Sequence, residues 1–126
     1  MALLSPARAG VPIIPGPKLL HRGKVRDSYE LTDDLMLVVA TDAISIFDFV
    51  LNGLVPQKGR ILTAMNHFWL KFLQKRNVKT HLVAAGAEID EYLPEHLRGN
   101  VDLRMCAMVV RRLPMTPVEF IVRGYL

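Results

Sequence analysis

The stretch Arg60–Arg76, RILTAMNHFWLKFLQKR, has the most regular apolar pattern in this chain of 126 residues. Apolar side chains recur in it every three or four residues, which predicts an amphipathic helix with one broad stripe turned towards a core. The stripe consists of Ile61, Leu62, Met65, Phe68, Trp69, Phe72 and Leu73. Cations near the C-terminal end suit the helix dipole, and Asn77 is expected to stop the helix.

On both sides of this helix the sequence predicts extended segments that are joined mainly by short turns. These segments are Lys18–Val25, Ser28–Leu31, Leu35–Thr41, Phe49–Lys58, Thr80–Ala84, Arg104–Leu113 and Val118–Arg123. Asp42–Asp48 is predicted to be a loop, and Glu88–Arg98 to hold one or two helical turns. Short turns join antiparallel strands, whereas parallel strands need long crossovers. The predicted fold class is therefore α+β, a mostly antiparallel sheet with one long packed helix.

Length and composition limit the class of protein. The chain is 51% apolar and 22% charged, which suits one domain with a real core. No apolar run reaches the roughly 18 residues of a membrane span, and the start lacks the apolar region of a secretory signal. The single cysteine, Cys106, excludes an internal disulfide, and within an apolar strand we expect it to be inert. We therefore expect a cytoplasmic protein with no membrane partner, in which residues 1–17 form an extended, proline-rich lead-in to a domain of residues 18–126.

Positive charge is concentrated towards both ends of the chain. The net charge is +4, with five basic and no acidic groups in residues 1–26 and a net negative charge in residues 27–102. If the two basic ends meet, they form a patch that attracts phosphates, nucleotides or nucleic acid. A basic, non-catalytic nucleic-acid-binding or assembly domain is therefore an alternative. Only 7% of the residues are aromatic, mostly within apolar runs, so we expect no nucleic-acid partner.

The segment Gly23-Lys24-Val25-Arg26-Asp27 combines a glycine with two cations. Glycine lets a ligand approach the backbone, and in an extended segment Lys24 and Arg26 point to the same face. Bare amides beside two cations suit a polyphosphate. The alternative is a plain hairpin with exposed charges.

A second basic segment, Pro56-Gln57-Lys58-Gly59-Arg60, opens the predicted helix. Helix N-termini attract anions, whereas basic residues oppose the helix dipole at that end. An anionic ligand would relieve this small electrostatic cost. The alternative is an ordinary turn.

Carboxylates form two further groups. Asp42, Ser45 and Asp48 lie in one predicted loop, where they could bind a cation, orient a hydroxyl or cap the amides of the loop. Glu119 and Arg123 would share one face of a predicted strand, turned towards a site. The alternatives are an ion pair between them or plain solvated charges. The four histidines lack metal-ligand spacing, so no metal site is predicted from the residues.

Four motifs stand in order along the chain. They are Gly23–Tyr29 (GKVRDSY), Ala40–Asp48 (ATDAISIFD), Pro56–Gly59 (PQKG) with Ile61–Thr63 and Phe68-Trp69, and Arg111–Leu113 followed by Pro117–Leu126 (PVEFIVRGYL). Together they resemble the SAICAR synthetase family of purine biosynthesis, the phosphoribosylaminoimidazole-succinocarboxamide synthases. The resemblance covers residues 19–126.

The resemblance implies a ligase that joins L-aspartate to the carboxylate of carboxyaminoimidazole ribonucleotide, giving SAICAR, ADP and phosphate from ATP, with Mg²⁺ assisting. It also implies an ATP-grasp-like or kinase-like nucleotide site, in which an N-terminal sheet-rich lobe covers the nucleotide and a C-terminal lobe completes the site. From the resemblance, the family is expected to be about twice as long as this chain. We therefore expect residues 18–126 to be the N-terminal nucleotide-binding lobe, without the C-terminal lobe and its metal ligands and inactive by itself.

Site roles follow from the resemblance residue by residue. Lys24 is expected to be catalytic, because it would neutralise charge as the phosphoryl group moves. The expected ATP-binding residues are Gly23, Lys24, Arg26, Arg111, Arg112, Leu113 and Glu119. The expected substrate-binding residues are Asp42, Ser45, Lys58 and Arg123, and a guanidinium fork suits the anionic groups of a ribonucleotide. The partners are therefore small molecules, and a homo-oligomer is compatible with this interpretation.

Three positions depart from the pattern of the family. Ala43 stands where an arginine is expected, so one cation is missing. Gln57 stands where a glycine is frequent, which makes that turn less permissive. Arg60 stands where an acid is common.

Overall fold

A computed structural model describes residues 13–125 of the chain. The described residues form seven short strands and two helices, and five of the strands precede the first helix. The strands are β1 (Leu19–Arg22), β2 (Arg26–Glu30), β3 (Leu35–Ala40), β4 (Ala43–Ile46), β5 (Phe49–Leu54), β6 (Leu82–Ala85) and β7 (Ala107–Arg111). The helices are α1 (Lys58–Gln74) and α2 (Val101–Cys106), with 3₁₀ turns at Gly86–Glu91 and Glu95–Leu97. No described helix is long and apolar enough to cross a membrane.

Five strands form the main sheet in the order β1-β2-β3-β7-β6, and every neighbouring pair is antiparallel. A separate two-stranded sheet joins β4 to β5. β3 lies at the centre of the main sheet. One end of β3 pairs Ala40 with Arg26, and the other end pairs Leu35 with Arg111. The predicted α+β class with a mostly antiparallel sheet is confirmed.

The two faces of the sheet are covered by different elements. On one face Leu37 and Val109 pack with Ile89 and Leu93 of the turn region after β6, and all four are fully buried. On the other face a smaller cluster of Leu82, Ala85, Met108 and Val110 packs against Leu70 of α1. The predicted helical turns in Glu88–Arg98 are confirmed, and they supply part of the larger core.

The predicted helix is present, but its apolar stripe does not face the core. The buried residues of α1 are Gly59 and Thr63, whereas Phe68 is 61% exposed and Trp69 is 54% exposed. The cause is the close approach of the helix to the sheet at its first turn. A Cβ atom built on Gly59 would lie 2.3 Å from the Ala40 carbonyl oxygen, so only the small-residue side of α1 fits against the sheet there. The helix ends near the expected position, since Asn77 adopts a left-handed φ of 61°.

Three predicted elements differ in the structure. Asp42–Asp48 is not all loop, because residues 43–46 form β4, which pairs with β5. The first residues of the predicted strand Arg104–Leu113 belong to α2 instead, since the Asn100 side chain caps that helix by accepting from the Leu103 amide at 3.1 Å. The predicted strand Val118–Arg123 is wrong. This segment pairs with no described strand and is exposed throughout, because its apolar residues have no surface to cover within the described chain.

The beginning of the described chain contacts the body of the protein. The Ile14 amide donates to the Tyr29 hydroxyl at 3.1 Å, and the Ile14 side chain packs against the larger core. This contact lies before the predicted boundary at Lys18. The rest of the predicted lead-in, residues 1–12, lies outside the described residues.

Candidate functional site

The turn between β1 and β2 places the glycine and the lysine of the first motif. The Gly23 amide donates to the Arg26 carbonyl at 2.8 Å, and a Cβ atom on Gly23 would lie 2.9 Å from that same oxygen. Glycine therefore permits the tight turn. Lys24 lies in the turn rather than in a strand, so strand alternation does not align it with Arg26 as the sequence predicted. Both cations are exposed to solvent.

Two hydrogen bonds attach this turn to the end of β3. The Thr41 amide donates to the Val25 carbonyl at 3.0 Å, and the Thr41 hydroxyl donates to the same oxygen at 2.7 Å. Thr41 is buried. The turn therefore has a fixed base, and Lys24 lies at its exposed tip.

Asp42, the next residue, caps the first turn of α1. Its carboxylate accepts from the Gln57 amide at 3.1 Å and from the Gly59 amide at 2.9 Å. The Lys58 ammonium donates to the Ala43 carbonyl at 3.0 Å. These contacts favour the capping alternative for Asp42, because its oxygens already serve backbone amides. Substrate roles for Asp42 and Lys58 stay predictions.

The β4–β5 hairpin brings Asp48 to the tip of the β1–β2 turn. Its two-residue turn holds Phe47 and Asp48 with left-handed φ values of 47° and 69°. The Lys24 ammonium donates to the Asp48 carboxylate, and this contact lowers the pKa of Asp48 from its usual value. Ser45 lies on β4 opposite Val50 and is half-buried. The sequence predicts Asp48 in one loop with Asp42 but does not indicate its pairing with Lys24, because a contact between residues 24 positions apart leaves no local pattern.

The remaining predicted ATP residues lie at the other end of the sheet. The Arg111 amide donates to the His81 carbonyl at 2.8 Å, and the Arg112 amide donates to the Asp34 carbonyl at 2.8 Å. The Arg112 guanidinium also pairs with Glu30 at 3.0 Å. Leu113 follows these residues and is 57% exposed.

Glu119 and Arg123 are both exposed, and they belong to the segment without strand structure. The shared strand face predicted for them is therefore wrong, because the alternation of side chains requires a strand. Among the described residues, no ion pair joins the two side chains, so that alternative is also not observed. Their nucleotide and substrate roles stay predictions.

The structure thus forms two groups of predicted site residues. Lys24, Asp42 and Lys58 lie around one end of β3, and Arg111 and Arg112 lie beside its other end. Five residue steps along β3 separate the groups, or roughly 17 Å. A single ligand could contact both groups only if it were long and extended, with anionic groups at the Lys24 end.

The described residues do not offer a metal site or a reactive thiol. Within residues 13–125, no group of three or more histidine, cysteine or acidic side chains is arranged to hold a metal ion. We therefore assign no magnesium ligand. Cys106 ends α2 rather than lying in a strand, and burial raises the pKa of its thiol. A raised pKa keeps the thiol protonated and unreactive.

Comparison with known proteins identifies the class to which this fold and these motifs belong. Residues 19–126 match the family model for SAICAR synthetase. The chain is 49% identical over 110 residues to phosphoribosylaminoimidazole-succinocarboxamide synthase of Methylococcus capsulatus, a match that covers 86% of this chain and 35% of the relative. It is 42% identical over 113 residues to the enzyme of the same name from Saccharomyces cerevisiae, covering 86% and 37%.

Solved structures agree with the sequence comparison. A SAICAR synthase structure superposes with a TM-score of 0.76 at 35% identity, covering 86% of this chain and 38% of that chain. SAICAR synthase from Saccharomyces cerevisiae, complexed with SAICAR, superposes with a TM-score of 0.67 at 38% identity, covering 76% and 33%. The chain belongs to the SAICAR synthetase family. It spans about a third of the length of the curated relatives that it matches, so the expected length of about twice this chain was too short.

Proposed function

We propose that this chain is the nucleotide-binding part of an ATP-dependent carboxylate–amine ligase. In the proposed reaction the carboxylate of carboxyaminoimidazole ribonucleotide takes the γ-phosphoryl group of ATP, and ADP leaves. The amine of L-aspartate then attacks the acyl phosphate, and phosphate leaves to give SAICAR. The observation that carries this proposal is the family match over residues 19–126. Magnesium is expected to assist, but no step is assigned to it because no described residues form its site.

Within this proposal, Lys24 neutralises charge on the phosphates as the phosphoryl group moves. Gly23 and Arg26 form the rest of the phosphate turn, and its tight geometry and exposed cations support that role. Arg111, Arg112 and Leu113 would contact the base at the other end of β3. The separation of the two groups suits an elongated nucleotide.

The roles proposed for the remaining site residues are supported by the resemblance alone. Glu119 would line the nucleotide pocket, and Arg123 would bind an anionic group of the ribonucleotide. Asp42 and Lys58 would act beside the phosphate turn, and Ser45 on β4 would contact substrate. A SAICAR synthetase (Type-2) structure in complex with ADP shares this fold with a TM-score of 0.60 at 18% identity, and its ADP supports nucleotide binding as a proposal for this chain.

Nucleotide binding by the 126-residue chain tests the proposal directly. We expect calorimetric titration with ADP and magnesium to detect binding, and Lys24→Ala to weaken it by about tenfold, the loss of one charge-assisted contact. Lys71→Ala is the matched control, because Lys71 lies exposed on α1 and should leave the affinity unchanged. Equal weakening by both variants would remove Lys24 from its proposed role.

The Asp48 carboxylate gives a second measure of Lys24. The ammonium of Lys24 lowers the Asp48 pKa in the free chain. A nucleotide whose phosphates draw Lys24 away should therefore raise that pKa towards its usual value, and so should Lys24→Ala. An NMR titration of the Asp48 side chain would record both shifts, and an unchanged pKa on nucleotide binding would contradict contact between Lys24 and the phosphates.

Catalysis by the chain alone is a separate question. We propose that the chain by itself does not complete the ligation, because it spans only about a third of its relatives. A coupled assay should detect no ADP release that depends on L-aspartate. Aspartate-dependent ADP release by the purified chain would overturn this part of the proposal.

A further inference from the structure

The solvent-exposed surface of α1 carries a large amount of apolar side chain. We call this exposed apolar surface the outer face, and its members are Ile61, Leu62, Met65, Phe68, Trp69 and Leu73. Their exposed fractions run from 36% for Leu62 to 61% for Phe68. Single exposed apolar residues are ordinary, whereas a continuous patch of this kind marks an interaction surface.

The rings of this helix form a preassembled cluster. Phe68 and Trp69 meet edge to face with centroids 5.2 Å apart, and Trp69 meets Phe72 at 5.4 Å. The Arg76 guanidinium lies 3.6 Å from the centroid of Phe72. Rings that already hold one another lose little conformational entropy when a partner covers them. The outer face therefore suits docking of an apolar surface.

The charge around the outer face restricts the choice of partner. Residues 55–87 contain no acidic side chain. Towards the C-terminal end of α1, Lys71, Lys75, Arg76 and Lys79 are exposed, and none of them forms an ion pair with another described residue. Two copies of this face brought together would set like charges side by side, which disfavours a second copy as the occupant.

We propose that the outer face of α1 is the docking surface for the part of a SAICAR synthetase chain that lies outside the region matched here. About two thirds of the Methylococcus capsulatus relative lies outside that region, so the family has ample polypeptide to cover the helix. The docking polypeptide presents an apolar surface to Met65, Phe68 and Trp69, with carboxylates where it meets Lys71 and Lys75. This inference goes beyond the proposed reaction, since it requires family membership but no role for Lys24.

Hydroxyl-radical footprinting with mass spectrometry measures the exposure of these side chains. The experiment compares the 126-residue chain with a hybrid in which this chain replaces the matched third of the Methylococcus capsulatus relative. We expect oxidation of Met65, Phe68 and Trp69 to fall about fivefold in the hybrid, because covering a half-exposed side chain removes most of its accessible area. Tyr92, which is 38% exposed and follows the 3₁₀ turn Gly86–Glu91, serves as the internal reference.

Substitutions separate docking from a general change in the hybrid. Phe68→Ser should restore oxidation of Trp69 in the hybrid, whereas Val101→Ser, at an exposed site on α2, should not restore it. Both substitutions should leave the unfolding midpoint of the free chain nearly unchanged. Footprinting of the intact Methylococcus capsulatus relative provides a measurement that does not depend on whether the hybrid folds. It reads the residues aligned with Met65, Phe68 and Trp69. Undiminished oxidation at these positions in both full-length proteins would overturn the proposal. Protection that grows with the concentration of the free chain alone would also overturn it, in favour of a second copy.

Discussion

The two sides of α1 have opposite surroundings, although they belong to one helix of 17 residues. The side against the sheet carries Gly59 and Thr63, both buried, and Leu70, which packs on the smaller core cluster. The outer face carries larger apolar side chains and is exposed. The difference shows that close backbone approach and capping contacts fix this helix on the sheet, whereas its largest apolar side chains stay exposed in the described chain.

The largest effect on stability is expected from a substitution that prevents the first turn of α1 from approaching the sheet closely. Gly59→Ala places a Cβ atom 2.3 Å from the Ala40 carbonyl oxygen, well inside van der Waals contact. We expect the clash to outweigh the better helix propensity of alanine and to lower the free energy of unfolding by about 2 kcal/mol or more. Urea denaturation followed by circular dichroism measures this loss.

Gly53→Ala is the matched control for that substitution. A Cβ atom on Gly53 meets no atom within 4 Å, and its φ is not left-handed. Its effect on unfolding should stay within about 0.5 kcal/mol. Equal effects of the two alanines would mean that α1 does not approach the sheet closely at its first turn.

The second comparison uses two leucines of the same helix. Leu70→Ala removes a half-buried side chain from the smaller core cluster and should cost about 1.5 kcal/mol, less than a fully buried leucine. Leu73→Ala, on the outer face, should cost about half as much or less in the free chain. Chemical denaturation of both variants in parallel gives the ratio. A larger loss from Leu73→Ala would place the outer face, rather than Leu70, against the core.

The cap of α1 is the third target. Asp42→Ala removes the carboxylate that accepts from the Gln57 and Gly59 amides, and we expect a loss of about 1 kcal/mol in the free energy of unfolding. Asp33→Ala, at an exposed turn, should be close to neutral. If Asp42→Ala left stability unchanged but abolished ADP binding, Asp42 would be a ligand residue rather than a cap.

How much of this fold the sequence could predict depends on whether an element is specified by a local residue pattern or by contacts with other parts of the protein. The strand Leu35–Thr41 agrees closely with β3, because a short β-branched run between turns is a local pattern. The helix Arg60–Arg76 is also present, shifted by two residues at each end. The burial of α1 was wrongly predicted, since periodicity identifies an apolar face but does not say which protein surface covers it.

In the candidate site, too, some features follow from local residue types and others depend on contacts between distant parts of the chain. The glycine turn with Lys24 was identified from residue types, because glycine and cations have direct chemical meaning. The pairing of Lys24 with Asp48 and the capping by Asp42 depend on contacts between distant parts of the chain, which a local pattern does not contain. The strand predicted at Val118–Arg123 failed because apolar composition alone does not provide a neighbouring strand.

The smallest expected effect concerns the residue before α1. Gln57 adopts a left-handed φ of 65°, a conformation that glycine adopts at no steric cost. A left-handed conformation costs a residue with a side chain about 1 kcal/mol relative to glycine, whereas glycine loses more backbone entropy on folding. Gln57→Gly should therefore raise the free energy of unfolding by about 0.5 kcal/mol.

Gln74→Gly, inside the last turn of α1, should lower the free energy of unfolding instead, because glycine there gains no relief of strain and loses the Gln74 hydrogen bond to Thr80. Opposite signs in the two denaturation curves would show that the strain at Gln57 is real and that it lies where α1 meets its cap; a loss of stability in both would place Gln57 in an ordinary backbone conformation.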